Sequence, residues 1–346
     1  MRVFFAAILL ISFIACNNQA ASPSEIKLSK KIRGVSFVGG PQRVDLVSFI
    51  DLKNIKVNYV SLMPFAFVRN GEPDLIYNSS YQWWGETPEG IQACIDMARE
   101  KGISSMIKPQ IWMDRGEFVG FLQMPNDSAW KIFEEKYTQF ILTWAEMSEK
   151  NRLPLFCIGT EVDEWVRQRP EYWKQLIQRV RQIYKGDLVY AANFGSEKSI
   201  PIWNELNYIG VDMYGPVSSE KTPTTDTLNA SWKKYRAYFK NISDSLDRQI
   251  IFTEWGYRSD DYCGVNPWAD TLHGSTNYEA QSNCYKALIE NCYPESWFVG
   301  GFVWKWFPDT LQMKAERDHF SPQGKSALNE LRLISKLQPD LKDEKE

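Results

Sequence analysis

Residue types that mark metal centres and phosphate sites are scarce in this sequence. The 346 residues include two histidines, His273 and His319, and six cysteines among which no CxxC spacing occurs. Zinc and di-iron centres need clusters of such ligands, so we expect no metal site and no bound cofactor. The segment Gly34-Val35-Ser36 in the first predicted strand also lacks the glycine-rich pattern that cradles a dinucleotide phosphate. A nucleotide-dependent enzyme therefore fits the sequence poorly.

An excess of positive charge is also missing. Lysine and arginine total 40 against 43 aspartates and glutamates, a formal net charge of -3. Such a chain has no global positive field to hold a polyanion, so we expect no nucleic-acid partner. Tryptophan, in contrast, is abundant at 14 residues, beside 16 tyrosines and 19 phenylalanines. Rigid amphipathic rings of this kind stack on the C–H faces of sugars, although most rings in any protein lie in its core.

Long apolar runs are absent except near the N-terminus. Arg2 precedes the run Val3–Ile14, which is too short to span a bilayer as a helix and reads as a secretion signal covering residues 1–15. The run leads into Phe13-Ile14-Ala15-Cys16, which resembles a bacterial lipobox. We expect Cys16 to carry the lipid, residues 16–31 to form a polar tether, and the protein to be an exported bacterial membrane lipoprotein, periplasmic or at the cell surface. Ordinary signal cleavage is the alternative.

Five cysteines remain besides Cys16, an odd number. Export permits disulfides, and Cys263 with either Cys284 or Cys292 is the plausible pair. Cys94 and Cys157 lie in apolar patterns that are typical of buried thiols.

Short β-rich apolar runs alternate with segments of helical period from Ile32 onward, which predicts a parallel sheet built from βα units. The eight predicted strands are Ile32–Val38, Val57–Phe65, Ser104–Trp112, Leu155–Glu161, Leu188–Asn193, Tyr208–Tyr214, Ile250–Trp255 and Phe298–Trp306. The clearest predicted helices are Pro88–Lys101, Ala129–Lys150, Glu171–Tyr184, Leu228–Leu246, Asn277–Asn291 and Gly324–Lys336.

Eight βα units over about 300 residues match a single α/β domain, a (β/α)8 TIM barrel, over residues 32–337. A doubly wound open sheet is the alternative. Residues 338–346 form a charged tail. Because the chemistry of a TIM barrel lies at the C-terminal ends of its strands, the residues at those ends are the candidates for function.

Two predicted strands end in a glutamate, Glu161 and Glu254. Side chains alternate along a strand, so Glu161 shares a face with Cys157 and Gly159, whose small side chains suit the inside of a barrel. Two carboxyl groups across a barrel mouth are what glycosidic cleavage requires, with one protonating the leaving oxygen and the other attacking the anomeric carbon. Acidic residues in the following loops, Asp163, Glu164 and Glu197, are expected to cap helices or face solvent.

The two glutamates stand in motifs that resemble a known family. The runs Ile158-Gly159-Thr160-Glu161, Ile209-Gly210-Val211-Asp212-Met213-Tyr214 and Phe252-Thr253-Glu254-Trp255-Gly256-Tyr257-Arg258-Ser259 are similar to those of glycoside hydrolase family 113, in clan A of the retaining glycosidases. The resemblance implies a TIM barrel and an endo-β-1,4-mannanase acting on mannan or glucomannan by double displacement. It implies Glu161 as the acid/base and Glu254 as the nucleophile.

The same resemblance implies that Tyr214 hydrogen-bonds the nucleophile. Two positions depart from the pattern: Thr160 stands where many clan members have Asn, and Gln110 where the family often has His.

Other polar and aromatic residues at the predicted strand ends are candidates for binding a polysaccharide or oligosaccharide substrate. Parity places Lys108, Gln110 and Trp112 on one face of the third predicted strand, and Trp304 and Trp306 on one face of the eighth. The candidates are Lys108, Gln110, Trp112, Asn193, Asp212, Tyr214, Trp304, Trp306 and Trp84, with Trp83 and Trp268 as further rings that could extend the surface or belong to the core. Lys108 is either a site residue whose partner is a sugar hydroxyl or a glutamate, or half of an ordinary internal ion pair.

Two other functions compete with the β-mannanase hypothesis. One is a different clan A activity, an exo-β-mannosidase or a β-glucan hydrolase, which shares the reaction centre. The other is a non-catalytic, surface glycan-binding lipoprotein, which binds without turnover.

The lipid anchor makes a direct prediction. Cells that express the chain and are fed radiolabelled fatty acid should label the wild-type protein, whereas Cys16→Ser should stay unlabelled because it lacks the acylated thiol. Equal labelling of the two proteins, or no labelling of either, would remove the anchor.

Overall fold

Eight parallel strands close into a barrel in the computed structural model, which describes residues 31–269 and 274–337. Successive barrel strands are neighbours, and the last strand pairs with the first. Helices alternate with the strands around the outside, so the predicted (β/α)8 barrel is confirmed. The predicted signal peptide, Cys16, the tether up to residue 30 and the tail at 338–346 lie outside the described residues.

The strands are β1 Ile32–Phe37, β2 Tyr59–Leu62, β3 Phe65–Val68, β4 Ser104–Ile107, β5 Gln110–Met113, β6 Leu155–Thr160, β7 Asp187–Asn193, β8 Tyr208–Met213, β9 Ile250–Trp255 and β10 Phe298–Trp306. The helices are α1 Val47–Asn54, α2 Pro88–Glu100, α3 Asp127–Lys150, α4 Asp163–Gln168, α5 Pro170–Ile183, α6 Thr225–Leu246, α7 Tyr278–Cys292, α8 Gln312–Arg317 and α9 Ala327–Leu337. Short 3-10 turns cover Trp84–Glu86, Asp114–Gly116, Val119–Phe121, Glu197–Ser199, Trp203–Glu205 and Asp309–Leu311. None of the helices described is long and apolar enough to cross a membrane.

Side-chain caps begin four of the long helices. Thr87, Asn126, Thr224 and Asn277 each accept a hydrogen bond from the backbone N–H three residues on, at the starts of α2, α3, α6 and α7. Such caps satisfy N–H groups that have no partner inside the helix. These four helices begin within three residues of the predicted positions.

Two predicted strands are each broken by a proline. The predicted Val57–Phe65 ends in the barrel at Leu62, and the predicted Ser104–Trp112 ends there at Ile107. Beyond Pro64 and Pro109 the two chains continue to pair with each other as β3 and β5, outside the barrel. Proline has no N–H to donate to a ladder, so the pair leaves the barrel wall at these residues.

The last strand contains an extra residue relative to its neighbour. Val35 of β1 pairs with Val303 of β10, but Phe37, two residues later, pairs with Trp306, three residues later. An inserted residue of this kind reverses the in–out alternation of the side chains beyond it. The parity argument that placed Trp304 and Trp306 on one face fails at this bulge.

The core has two layers. Seven of the eight barrel strands contribute to an inner cluster: Ile32, Tyr59, Met106, Leu155, Cys157, Val189, Ala191, Ile251, Val299 and Phe302. A larger cluster fills the space between the strands and the helices. Cys94, Cys157, Cys263, Cys284 and Cys292 are buried free thiols, and the sulfurs of Cys263 and Cys284 lie 3.8 Å apart.

Gly210 of β8 provides a test of the packing between barrel strands. A methyl group there would lie 2.2 Å from the carbonyl oxygen of Tyr190 and 2.7 Å from Val189 Cγ2. Because backbone must move to make room, we expect Gly210→Ala to lower the free energy of unfolding by roughly 1–3 kcal/mol, measured by chemical denaturation.

Gly40→Ala is the matched control, since its methyl would meet only the Leu311 side chain, at 3.1 Å. Equal stability of the two variants would contradict the packing argument.

Candidate active site

A cleft of about 690 Å³ opens at the C-terminal ends of the barrel strands. Its described lining residues are Phe118, Glu161, Asn193, Phe194, Tyr214, Pro216, Glu254, Trp268, Trp304 and Phe320. Six of these were named from the sequence: Glu161, Asn193, Tyr214, Glu254 and Trp304 as candidates, and Trp268 as a ring that could extend the surface or belong to the core. Both glutamates therefore share one cleft although they are far apart in the chain.

Glu254, near the end of β9, is held on both carboxylate oxygens. Tyr214 donates its hydroxyl to Oε2 at 2.9 Å, and Gln110 donates its amide to Oε1 at 3.0 Å. The ammonium group of Lys108 donates to Oε1 as well and forms an ion pair with it. Lys108 follows β4, Gln110 begins β5 and Tyr214 follows β8, so three elements hold this carboxyl group in position.

Lys108 is completely buried just after β4 and has two carboxylate partners. Besides Glu254, it contacts Asp212 Oδ2 at 3.2 Å. Asp212 also accepts a hydrogen bond from Thr253 at 2.6 Å. Burial alone would lower the pKa of Lys108, but Asp212 and Glu254 raise it above the usual lysine value. Lys108 is therefore a cation within the site, paired with both carboxylates.

Glu161 has a contrasting environment. It follows β6 with a left-handed backbone (φ 54°), and its N–H donates to the Ala191 carbonyl at 2.8 Å. Within residues 31–269 and 274–337, no hydrogen bond or ion pair engages its carboxyl group. Burial, with Asp212 and Glu254 as neighbouring negative charges, raises the pKa of Glu161 well above its usual range. This carboxyl group retains its proton to higher pH than an exposed glutamate does.

The two glutamates thus have contrasting environments. Three hydrogen-bond donors surround Glu254. Glu161 has no such donor, and burial beside negative charges favours its protonated form. Pairs of carboxyl groups whose environments separate their protonation are typical of glycosidase sites.

Aromatic side chains form much of the remaining wall. Trp304 of β10 and Trp268, from the loop after β9, line the cleft, and Trp268 is 55% exposed. Phe118, Phe194 and Phe320 complete the apolar surface. Faces of this kind provide stacking area for a sugar ring.

Asn193, which ends β7 and lines the cleft, is oriented through Asp163. The Asp163 carboxylate accepts the Asn193 N–H at 3.1 Å and the Tyr190 hydroxyl at 2.5 Å. Asp163 is buried, and so is Glu197. Both acids stand in the first turn of a helix, as expected for Asp163 and Glu197, but neither faces solvent.

Six predicted substrate contacts lie outside the cleft lining: Lys108, Gln110 and Asp212, which belong to the polar group around Glu254, and three tryptophans. Trp112 is 52% exposed on β5, against Phe65 at a ring distance of 6.4 Å, because the chain leaves the barrel at Pro109. Trp84 packs on the hydrophobic core. Trp306 is buried and lines a second, separate cavity beside α1 and α9, because the bulge in β10 turns it away from Trp304.

Four lining residues carried no signal in the sequence: Phe118, Phe194, Pro216 and Phe320. They lie in loops, where neither strand parity nor motif spacing applies, and only the tertiary fold brings them to the cleft. Among the described residues, no three His, Cys, Asp or Glu side chains group as a metal site requires.

Comparison with known proteins agrees with this geometry. A sequence profile described as Glycoside Hydrolase Family 113 matches residues 45–325. A search of curated proteins finds no match. The fold is similar to that of a family 113 β-mannanase from Alicyclobacillus acidocaldarius, with a TM-score of 0.77 and 21% identity over 89% of this chain and 98% of the other.

Two further solved structures share the fold. A family 113 β-1,4-mannanase matches with a TM-score of 0.77 and 19% identity, covering 89% of this chain and all of the other. A β-glucuronidase from Faecalibacterium prausnitzii matches with a TM-score of 0.60 and 14% identity, over 90% of this chain and 49% of the other. The family profile spans most of the chain, so this protein is a glycoside hydrolase that belongs to family 113.

Proposed function

We propose that the chain is a retaining endo-β-1,4-mannanase, acting on mannan or glucomannan with Glu254 as nucleophile and Glu161 as acid/base. The observation that carries the proposal is the pair of carboxyl groups in one cleft, Glu254 bound by three donors and Glu161 by none among the described residues. Double displacement needs this division of roles.

The proposed reaction proceeds in two steps. Glu254 Oε2 or Oε1 attacks the anomeric carbon while Glu161 gives its proton to the leaving glycosidic oxygen, which forms a glycosyl-enzyme and releases the shortened glycan. Glu161, now ionised, then takes a proton from water, and the hydroxide attacks the same carbon and frees Glu254. Lys108, Gln110 and Tyr214 hold the nucleophile in place without taking part in bond making.

The cleft favours a neutral sugar. Apart from the two glutamates, its described lining consists of aromatic rings, Asn193 and Pro216, with no lysine or arginine to pair with a uronate. Sugar carboxylates are normally recognised by such cations. This supports a neutral β-glycan over a glucuronide, although a β-glucuronidase shares the fold. Trp304 is the proposed platform beneath the reacting sugar.

The substrate and the stereochemistry are tested together. The wild-type enzyme, given mannan, glucomannan and cellulose, should release a mixture of oligosaccharides from the mannose-containing polymers, and proton NMR should show the β-anomer first. Release of mannose alone would indicate an exo-mannosidase, preference for cellulose would indicate a β-glucan hydrolase, and binding without products would indicate a glycan-binding protein. Each of these outcomes contradicts the proposal.

The roles of the two glutamates are tested by substitution. Glu161→Gln should lose roughly 10²–10⁴-fold in kcat, because it cannot donate a proton. Glu254→Gln should lose at least as much, since no glycosyl-enzyme forms. Azide should restore turnover of an activated aryl mannoside by Glu161→Ala, with the β-azide as product.

Glu164→Gln is the matched control, because Glu164 lies three residues from Glu161 but faces solvent and pairs with Arg167. It should keep wild-type activity. Wild-type hydrolysis by Glu161→Gln or Glu254→Gln would contradict the catalytic role proposed for that residue.

The pH profile tests the electrostatic coupling. Activity requires protonated Glu161, so it should decline as pH rises through the raised pKa of Glu161. Asp212 is the largest charged contributor to that rise after burial. Asp212→Asn removes the negative charge and lowers the pKa of Glu161, so the alkaline limb of kcat/KM should move to lower pH.

Asp163→Asn provides the comparison, because Asp163 makes the smallest contribution among the charges around Glu161. The alkaline limb of kcat/KM should move less in Asp163→Asn than in Asp212→Asn. A limb that stays in place in Asp212→Asn, or moves to higher pH, would contradict the coupling.

A further inference from the structure

Arg258 is a completely buried arginine four residues after Glu254. Its guanidinium pairs with the equally buried Asp260 at 3.0 Å. It does not line the cleft and contacts neither glutamate, so the reaction described above does not use it. A buried charge is costly unless it is well partnered, and this raises the question of what Arg258 contributes.

One terminal nitrogen of Arg258 holds the loop that carries Trp268, while Nη2 is buried without a hydrogen-bond partner among the described residues. Nη1 donates to the carbonyl of Asn266 at 3.0 Å and also to the carbonyl of Ala269. These two carbonyl groups flank Trp268 on either side. One guanidinium nitrogen therefore closes the short segment from which the exposed Trp268 ring reaches the cleft.

The same guanidinium lies against the second aromatic residue of this wall. Its Cζ is 5.9 Å from the ring centroid of Phe320, within cation–π range. Phe320 in turn meets Tyr214 edge-on at 6.4 Å, and Tyr214 donates to Glu254. Arg258 thus connects Trp268 and Phe320, which come from separate loops.

The beginning of the Trp268 loop is attached independently of Arg258. The Gly264 carbonyl accepts N–H groups from Val217 at 2.8 Å and Ser218 at 3.2 Å. The Cys263 sulfur lies 3.8 Å from that of Cys284 on α7. Beyond these contacts, the described bonds that tie residues 266–269 to the body of the barrel come from Arg258. Loss of the guanidinium group should therefore free the segment that carries Trp268, while the start of the loop stays attached.

We propose that Arg258 is a positioning residue that sets Trp268 and Phe320 as one aromatic wall and thereby determines how tightly the enzyme holds its glycan. The proposal rests on the proposed function for its ligand, a neutral β-linked hexose chain. Arginine is needed because its planar fork reaches a carboxylate and two carbonyls at once, whereas the single ammonium of lysine does not.

The test compares R258K, W268A and the double variant on mannan oligosaccharides. R258K should raise KM roughly 3–10-fold, the size of one lost aromatic stacking contact, with kcat within about twofold of wild type. W268A should raise KM similarly. The double variant should add at most about twofold to the KM of W268A, because Arg258 acts through the ring that is already missing.

Hydrogen exchange provides a readout that needs no substrate. Peptides covering residues 264–269 should exchange faster in R258K than in wild type, while peptides from α7 should not change. R169K is the matched control, because Arg169 also pairs with acids and lies 5.6 Å from a tryptophan ring, but away from the cleft. It should alter neither KM nor exchange in the loop.

Several outcomes would overturn the proposal: unchanged exchange at 264–269, a fall in kcat with KM unchanged, or full additivity of R258K and W268A. If R258K does not fold, D260N retains the arginine but removes the charge that orients it, and should show the same pattern to a smaller degree. An unaltered KM and unaltered exchange in D260N would then refute it. If the wild-type enzyme cleaves no glycan, the proposed function fails, while loop exchange still reports separately on Arg258.

Discussion

The buried ion pair between Lys108 and two carboxylates is the interaction on which the site depends. Lys108 follows β4, Asp212 lies in β8 and Glu254 in β9, so one ammonium group joins three strands at the barrel mouth. Removing one member of such a group leaves an uncompensated buried charge, which is strongly unfavourable. The nucleophile candidate is therefore held in place by the same contacts that satisfy the lysine.

The two glutamates differ in their hydrogen-bond partners, because the barrel places the ammonium group of Lys108 and two further donors against Glu254 and none against Glu161. The donors of Lys108, Gln110, Tyr214 and Thr253 engage Glu254 and Asp212, and none of them bonds to Glu161, where burial and neighbouring negative charge outweigh the opposing charge of Lys108. A site with a donor for each carboxyl group would ionise both and lose its acid. The absence of a partner at Glu161, within the described residues, is thus as much a part of the arrangement as the three partners of Glu254.

Much of the fold follows from local rules that the sequence displays openly. Apolar β-rich runs separated by amphipathic segments predict eight βα units, and capping residues such as Thr87 and Asn126 mark helix starts close to where the structure has them. Parity did not hold in the two strands that carry the glutamates, because β6 has an extra residue between Cys157 and Thr160 and β9 has one between Phe252 and Glu254, although both side chains reach one cleft. It also failed where the chain breaks regularity: at Pro109, which leads Trp112 away, and at the bulge that turns Trp306 into a separate cavity.

The sequence by itself determined the barrel, the two glutamates at strand ends and the motifs of the family, because these depend on periodicity and on short runs of neighbouring residues. Only the tertiary structure decided which rings line the cleft, since Phe118, Phe194, Trp268 and Phe320 come from loops whose paths depend on contacts distant in sequence. It also decided which partner each charge meets. Lys108 and Arg258 have no neighbour in the sequence that reveals whether they contact substrate, carboxylate or loop carbonyl, because those contacts exist only once the barrel has closed.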